Sequence, residues 1–316
     1  MNATGSPELD VFMHGTTFFD MVLTGLPSLP QAGTEMDAIG MGSCPGGVAN
    51  LAVAASRLGL RTGLASTFGD DSYGDFLWSI LLEEGVDLSR SRRITEWHSP
   101  VTVSLAVNRD RAMITHAHDS PIPTQDLIPE PPPCAAAVVD LTEVDQPWVR
   151  KAHEQGTRIF GDVGWDASGS WPLSDLDGLQ IMHAFLPNSA EAMAYTRTED
   201  PRAALLQLAD LVPVVVVTCG GQGSIGIDSL TGEEEWVPSL PVNAVDATGA
   251  GVGRPGGLAG RGAKRRGRRL PRRRRAGPQL CLPDPGTEPA PDPYRRAPGR
   301  RHDRPLLRRL TPPVLR

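Results

Sequence analysis

Cysteine is scarce and widely spaced in this chain, which holds four cysteines among 316 residues and no Cys-x-x-Cys pair. That spacing excludes a small disulfide-stapled fold and gives no sign of a zinc or dithiol site. The sequence also lacks a run of about 18 apolar residues and a basic-then-apolar N-terminus, so neither a membrane helix nor a signal peptide is predicted. We therefore expect a soluble cytoplasmic protein with no membrane partner.

Charge is distributed unevenly along the chain. Residues 1–251 hold 12 basic and 33 acidic residues, a net charge of −21, whereas residues 252–316 hold 19 basic and 4 acidic residues, a net charge of +15. The second segment is rich in arginine, proline and glycine, and its single aromatic residue is Tyr294. Such a composition cannot propagate a helix or bury a core. We expect a folded domain over 1–251 and a disordered basic tail over 252–316.

Short apolar segments alternate with helical patterns before the tail. Buried strands are predicted for LDVFMH, TGLASTFG, CAAAVVDL, TRIFGDVG and VVVVT, and helices for VANLAVAASRLGL and DDSYGDFLWSILLEEGV. The segment PVTVSLAVNRDRAMITHA predicts a β-hairpin, and a loop after the first strand is predicted to carry Asp20. Strands that alternate with helices are typical of an α/β fold with a parallel sheet.

Two glycine-rich turns are candidates for anion binding, namely Gly46-Gly47 and Gly249-Ala250-Gly251. Exposed backbone amides and the positive end of a helix dipole bind anions at such turns. An isolated pair of glycines is, however, more often a plain tight turn. The order of the other segments along the chain has to decide between the two interpretations.

His116 and His118, next to Asp119, have the spacing of alternate strand residues, which points both imidazoles the same way. A metal site needs a third ligand, and none at a suitable spacing is evident in the sequence. We therefore expect ordinary exposed loop histidines here.

Several separated motifs resemble, in order, those of one family. CPGGVANLAVAASRLGLRTGLASTFGDDSYGDFLWSILLEEGVDLS is similar to the N-terminal signature of the PfkB (ribokinase-like) family of sugar and nucleoside kinases, and VDATGAG to the start of its C-terminal signature. Between them, PNSAE resembles the family's Asn-x-x-Glu motif and VVVVTCGGQGS its nucleotide-side strand and turn. The resemblance covers about residues 10–251.

The resemblance implies a three-layer α/β/α ribokinase-like sandwich and ATP-dependent phosphorylation of a sugar or related small polyol. It also implies a small β-sheet lid over the sugar, formed by residues of about 34–43 and 100–116. ATP and Mg²⁺ are the implied cofactors, with a monovalent cation as a further candidate, and lids of this family often pair two chains into a homodimer.

The resemblance further assigns roles to matching positions. The sugar would be bound by Asp20, Gly46, Gly47 and Asn50. ATP would be contacted by Thr218, Gly220, Gly223, Asp246 and Thr248. Asn188 and Glu191 would order water molecules around Mg²⁺, and the amides of Gly249, Ala250 and Gly251 would form an anion hole. Structural alternatives stay open: a loop-capping carboxylate for Asp20, a capping box for Asn188 and Glu191, and a ligand-free hairpin for the Thr218 turn.

The sequence departs from the family directly after Gly251. The family has an aspartate there as general base, whereas this chain has Val252, which cannot accept a proton. We expect impaired catalysis, and we interpret the change of composition as a shifted reading frame in a GC-rich gene. The alternatives are a catalytically inactive sugar-binding remnant and a basic tail that binds nucleic acid. The near absence of aromatic residues from the tail disfavours the nucleic-acid interpretation.

Overall fold

The computed structural model describes residues 7–107, 110–164, 166 and 168–240. The strands in these ranges are β1 (Leu9–His14), β2 (Thr17–Leu26), β3 (Gly40–Gly47), β4 (Thr62–Ala65), β5 (Thr67–Gly69), β6 (Arg92–Ile94), β7 (Val101–Val107), β8 (Asp110–His116), β9 (Cys134–Asp140), β10 (Arg158–Asp162), β11 (Ala184–Phe185), β12 (Val214–Thr218), β13 (Ser224–Asp228) and β14 (Glu233–Val237). The helices are α1 (Val48–Arg57), α2 (Ser72–Glu83), α3 (Thr124–Leu127), α4 (Pro147–Glu154), α5 (Ser189–Thr196) and α6 (Pro201–Ala209). Within this part of the chain, no helix is long and apolar enough to cross a membrane.

An eight-stranded sheet has the order β14-β13-β12-β11-β10-β9-β1-β4. The six strands from β12 to β4 pair in parallel, and β13 and β14 continue the sheet as antiparallel strands. Parallel strands place their carboxyl ends at one edge of a sheet, where ligands of open α/β folds bind. The residues at this carboxyl edge are His14, Ala65, Asp140, Asp162, Phe185 and Thr218.

Neighbouring residues of β1 contribute to two separate hydrophobic cores. Phe12 belongs to one core and makes an edge-to-face contact with Trp148 of α4, with ring centroids 5.5 Å apart. Val11 and Met13 belong to the other core, together with buried residues of α1 and α2. Because helices cover both faces of the sheet, the predicted three-layer α/β/α arrangement is confirmed.

A four-stranded sheet with the order β3-β2-β7-β8 follows the carboxyl end of β1 directly. Strands β7 and β8 pair in antiparallel fashion, which confirms the predicted hairpin, although its tip at 108–109 lies outside the described residues. Of the segments expected to form a lid, residues 40–43 lie in β3, and 101–107 and 110–116 form β7 and β8.

Two sequence-based predictions are wrong. Asp20 does not lie in a loop, because β2 runs through it and pairs it with Cys44 on one side and Thr102 on the other. The segment TGLASTFG is not one strand, because it divides at Ser66 into β4 and β5, which belong to different sheets. The backbone N–H of Ser66 donates to Ser91 Oγ at 3.1 Å, so a side chain replaces the strand partner at this point.

Candidate active site

The carboxylate of Asp20 lies directly against the backbone of Gly46. Asp20 is 7% exposed, and Gly46 is two residues beyond its pairing partner Cys44 in β3. A Cβ atom at Gly46 would lie 2.1 Å from Asp20 Oδ1 and 2.3 Å from Oδ2, closer than a side chain can approach. The position of the carboxylate therefore requires glycine, and the structure brings these two predicted residues together.

Gly47 connects β3 to α1 without an intervening loop. Its φ of +61° lies in the left-handed region, and a Cβ atom there would be 2.4 Å from the carbonyl oxygen of Thr16. The same carbonyl accepts a hydrogen bond from the N–H of Val48 at 3.2 Å. Gly47 is the N-cap of α1 and supplies no side-chain acceptor, and Asn50 lies in the first turn. The predicted sugar-binding residues thus occupy the β3–α1 junction and the neighbouring strand.

Two threonines extend the polar row that begins at Asp20, and sequence reasoning missed both. Asp20 pairs with Thr102, and Thr102 pairs with Thr115 on the next strand. The two threonine hydroxyls are 3.0 Å apart. Paired residues of neighbouring strands share a face. The alternation of polar and apolar residues within PVTVSL places Thr102 on the polar face of its strand. Only the identity of the partner strand, β2, connects that face with Asp20.

Asn188 and Glu191 form a complete capping box at the start of α5. Asn188 Oδ1 accepts from the N–H of Glu191 at 3.0 Å, and Glu191 Oε2 accepts from the N–H of Asn188 at 2.8 Å. The structural alternative for this pair is therefore confirmed. The capping box leaves a second role open for Glu191, because its carboxylate has a second oxygen and further lone pairs.

Two aspartates that sequence reasoning missed lie at the carboxyl edge near Glu191. Asp140 and Asp162 end the adjacent strands β9 and β10 and are paired in register. Burial, followed by the negative charge of Asp140, raises the pKa of Asp162 to about 6. Burial, followed by the charges of Asp162 and Asp140, raises the pKa of Glu191 to about 7. In the sequence, VVD and IFGD are each an apolar strand segment that ends in aspartate. This pattern could have indicated acidic side chains at the carboxyl edge of the sheet.

The end of β12 lies beside this acidic cluster. Thr218 forms an isolated bridge with Asn188, and its N–H donates to the carbonyl oxygen of Pro187 at 3.1 Å. The chain then turns through Gly220, which has a φ of +53° and no neighbouring atom within 4 Å of an added Cβ. Gly223 has a φ of +111°, and a Cβ there would lie 2.1 Å from the carbonyl oxygen of Val237. Strands β12 and β13 form an antiparallel hairpin around this turn, and the backbone is open above Gly220.

The remaining predicted site residues lie outside the described residues. They are Asp246, Thr248, Gly249, Ala250, Gly251 and Val252. The proposed basic tail, 252–316, lies there as well.

Comparison with known proteins identifies similar chains and folds. The family model described as pfkB family carbohydrate kinase matches residues 28–259. A fructokinase from Klebsiella pneumoniae is 30% identical over 246 residues, which cover 69% of this chain and 78% of that protein.

Solved structures of low sequence identity share the fold. A ribokinase from Giardia lamblia superposes with a TM-score of 0.63 at 18% identity, covering 77% of this chain and 79% of that one. The Arabidopsis thaliana ribokinase complexed with ribose and ATP gives 0.60 at 20% identity, with coverage of 79% and 83%. The predicted ribokinase-like fold class is therefore confirmed.

Proposed function

The chain belongs to the pfkB family of carbohydrate kinases, and on that premise we propose that its reaction is phosphoryl transfer from ATP to a sugar hydroxyl. We further propose that this chain carries out the transfer poorly. The observation that supports a sugar site best is the contact between Asp20 and Gly46, which holds a desolvated carboxylate against a backbone that no side chain can cover.

In the proposed acceptor site, Asp20 accepts hydrogen bonds from two sugar hydroxyls. A carboxylate has about four lone-pair sites and can accept from both at once. Gly46, Gly47 and Asn50 would add backbone and amide contacts at the start of α1. The positive end of the α1 dipole would favour negative charge that develops on the attacking oxygen.

Asn188 and Glu191 are proposed to hold Mg²⁺ through water. The residues fit this ion, because the donors are oxygen atoms and because the neighbouring charges of Asp140 and Asp162 disfavour the ionised form of Glu191 unless a cation balances them. Mg²⁺ would neutralise charge on the transferred phosphoryl group. The protein's part is to fix the Glu191 carboxylate by the capping box, so that it is preoriented at the sheet edge.

The nucleotide is proposed to lie over the Thr218 turn. The backbone at Gly220 is open to approach, and Thr218 stands beside Asn188, so nucleotide and cation contacts would be adjacent. Asp246 and Thr248 are proposed to complete this side from outside the described residues.

Impaired transfer is proposed because Val252 stands where the family has its general base. The amides of Gly249, Ala250 and Gly251 would still stabilise a phosphoryl group, but the proton of the sugar hydroxyl would have no acceptor there. This substitution favours a second candidate function, a sugar-binding protein with little turnover. Nucleic-acid binding by the basic tail has only the charge of that segment in its favour.

Two finer features of the family are also proposed. One is activation by a monovalent cation, as the family resemblance implies. The other is a homodimer through the four-stranded sheet, supported by the exposed apolar side chains of Met41 (73%) and Ile114 (68%) on it.

Calorimetry against a panel of sugars tests the acceptor site. The full chain is expected to bind at least one neutral sugar, and Asp20→Asn is expected to weaken that binding about tenfold or more, since a hydrogen bond to a charged group contributes about 1.5–3 kcal/mol. Asp210→Asn, at an exposed aspartate directly after α6, is the matched control. Equal affinity of the chain and Asp20→Asn for every sugar bound would contradict the assignment.

A coupled ADP-release assay tests the proposed defect on three proteins. They are the unaltered chain, Val252→Asp, and a chain whose gene is corrected in frame after Gly251. General-base catalysis typically contributes about 10²–10⁴-fold, so slow residual turnover is expected from the unaltered chain. Val252→Asp should regain little if the following segment is also altered, whereas the frame-corrected chain should be an ATP- and Mg²⁺-dependent kinase. Robust turnover by the unaltered chain would refute the defect.

A further inference from the structure

Three histidines meet at the foot of the β7–β8 hairpin. His98 lies three residues before β7, His116 is the last residue of β8, and His118 follows two residues later. The ring centroids of His116 and His118 are 4.7 Å apart, and those of His98 and His118 are 6.5 Å apart. All three residues are exposed. Two segments separated along the chain thus bring three imidazoles together at the surface.

This histidine cluster, His98, His116 and His118, is separate from the candidate active site. His116 pairs with Val101, and Val101 pairs with Phe19, so these three residues share one face of the four-stranded sheet. Asp20 is the next residue after Phe19 and therefore points to the opposite face. A ligand on the histidine cluster would not occupy the Asp20 pocket.

Contacts around the cluster hold its two segments in place. The indole N–H of Trp97 donates to the carbonyl oxygen of Asp119 at 3.3 Å and links the segment before β7 to the segment after β8. Asp71 Oδ2 accepts from the N–H of Ser99 at 2.8 Å and lies 3.8 Å from His98 Nδ1. A carboxylate beside one ring nitrogen orients an imidazole and makes its other nitrogen a better metal ligand.

The ring separations are close to those of a metal site. With metal–nitrogen bonds of about 2.0–2.1 Å, two imidazoles on one ion have centroids about 4.5–5.2 Å apart. The His116–His118 pair already meets this distance. Among the described residues, no group of three His, Cys, Asp or Glu side chains has the geometry of a metal site. For the three histidines to bind one ion, His98 has to approach His118 by roughly 1–2 Å. Rotation of an exposed side chain covers such a distance.

We propose that His98, His116 and His118 bind one divalent transition-metal ion of the Zn²⁺ or Ni²⁺ kind, which links the two ends of the β7–β8 hairpin. Imidazole is a preferred ligand of these ions, whereas Mg²⁺ prefers oxygen ligands. The ion would close a ring between the segment that enters the hairpin and the segment that leaves it. The proposal does not depend on the proposed kinase reaction.

Titration calorimetry of the untagged full chain with ZnCl₂ and with NiCl₂, in excess Mg²⁺, tests the proposal. One ion per chain is expected to bind, and His116→Asn or His118→Asn is expected to weaken binding by about 100-fold or more, because loss of even an outer partner of a metal ligand costs about 10–100-fold. His98→Asn should weaken it as well. His153→Asn, at an exposed histidine of α4, is the matched control and should bind as the unaltered chain does.

A second measurement keeps the result independent of folding defects. Proton NMR of the unaltered chain should show Zn²⁺ shifting the ring signals of these three histidines together and leaving that of His153 in place. Circular dichroism would identify any variant that does not fold. For such a variant, the NMR experiment on the unaltered chain would take the place of the titration. Absence of Zn²⁺ and Ni²⁺ binding, unchanged affinity in folded His116→Asn and His118→Asn, or ring shifts at other histidines would each overturn the proposal.

Discussion

Replacement of Asp162 with asparagine is expected to stabilise the protein at neutral pH. Burial at the end of β10, together with the charge of Asp140, raises the pKa of this carboxyl from 3.8 to about 6. Asparagine has nearly the same shape, and its carbonyl oxygen can still accept the hydrogen bond that Asp162 Oδ1 receives from the N–H of Val163 at 2.9 Å. The substitution therefore removes a desolvated charge and retains the local contacts.

The size of the effect follows from the pKa difference. A rise from 3.8 to about 6 corresponds to at most about 3 kcal/mol, at about 1.36 kcal/mol per pKa unit. Well below pH 3.8 both folded and unfolded chains carry the proton. At higher pH the unfolded chain releases it first, so the stability contributed by Asp162 is lost as the pH rises through about 6. The advantage of Asp162→Asn over the unaltered chain should grow by up to about 3 kcal/mol between about pH 3 and pH 7.

Urea denaturation across this pH range measures the difference, without added divalent cations. Most other titrating groups behave alike in the two proteins, so their effects largely cancel in the difference. Glu191 is the exception, because the charge of Asp162 helps to raise its pKa, and the substitution relieves that repulsion and adds to the advantage of Asp162→Asn as the pH approaches 7. Asp177→Asn, at an exposed aspartate between α4 and β11, is the control and should give a nearly constant offset. A difference for Asp162→Asn that stays level with pH would refute the argument that burial and Asp140 hold a proton on this carboxyl.

Substitutions at Gly46 and Glu191 test individual contacts of the site. Gly46→Ala should lower the free energy of unfolding by about 1–3 kcal/mol in urea titrations, because the new Cβ atom must displace the Asp20 carboxylate. Gly221→Ala is the control and should change the free energy of unfolding far less, because no atom lies within 4 Å of a Cβ atom added there. Equal effects would contradict the close contact. Glu191→Gln should keep or raise thermal stability at neutral pH, because glutamine also closes a capping box with Asn188 and carries no charge beside Asp162 and Asp140. It should weaken Mg·ATP binding in calorimetry. Glu191→Ala should lower both thermal stability and Mg·ATP binding. Unchanged binding in both variants would exclude Glu191 as a cation ligand.

Features encoded by local sequence could be predicted well. The apolar spacing of VANLAVAASRLGL predicted α1, and Gly59, just after the end of the helix, has the left-handed φ of +86° that glycines after helices commonly adopt. The capping box of Asn188 and Glu191 is equally local, since both partners are three residues apart. These predictions required only interactions between residues close in the chain.

Features that depend on distant partners could not be predicted from one sequence. Asp20 was assigned to a loop because β2 is defined by β3 and β7, more than 20 and 80 residues away. The division at Ser66 involves a hydrogen bond that the Ser66 N–H donates to the distant Ser91 Oγ. The third histidine of the histidine cluster, His98, precedes the other two by a whole hairpin. In each case the sequence contains the residues, but the pairing of strands decides which of them meet.

The acids at the carboxyl edge make folding and cation binding oppose each other. Burial and mutual repulsion raise the pKa of Glu191 to about 7 and that of Asp162 to about 6, so ionisation of both beside Asp140 destabilises the folded chain. The proposed divalent cation would reverse this balance, because it would favour the ionised carboxylates that folding disfavours. Local structure explains two of the three acids, because Glu191 closes the capping box at α5 and Asp140 Oδ1 accepts from the N–H of Thr142 at 2.9 Å as the cap of the turn after β9. Asp162 adds a charge that lowers the stability of the folded chain, and the proposed Mg²⁺ would offset that effect.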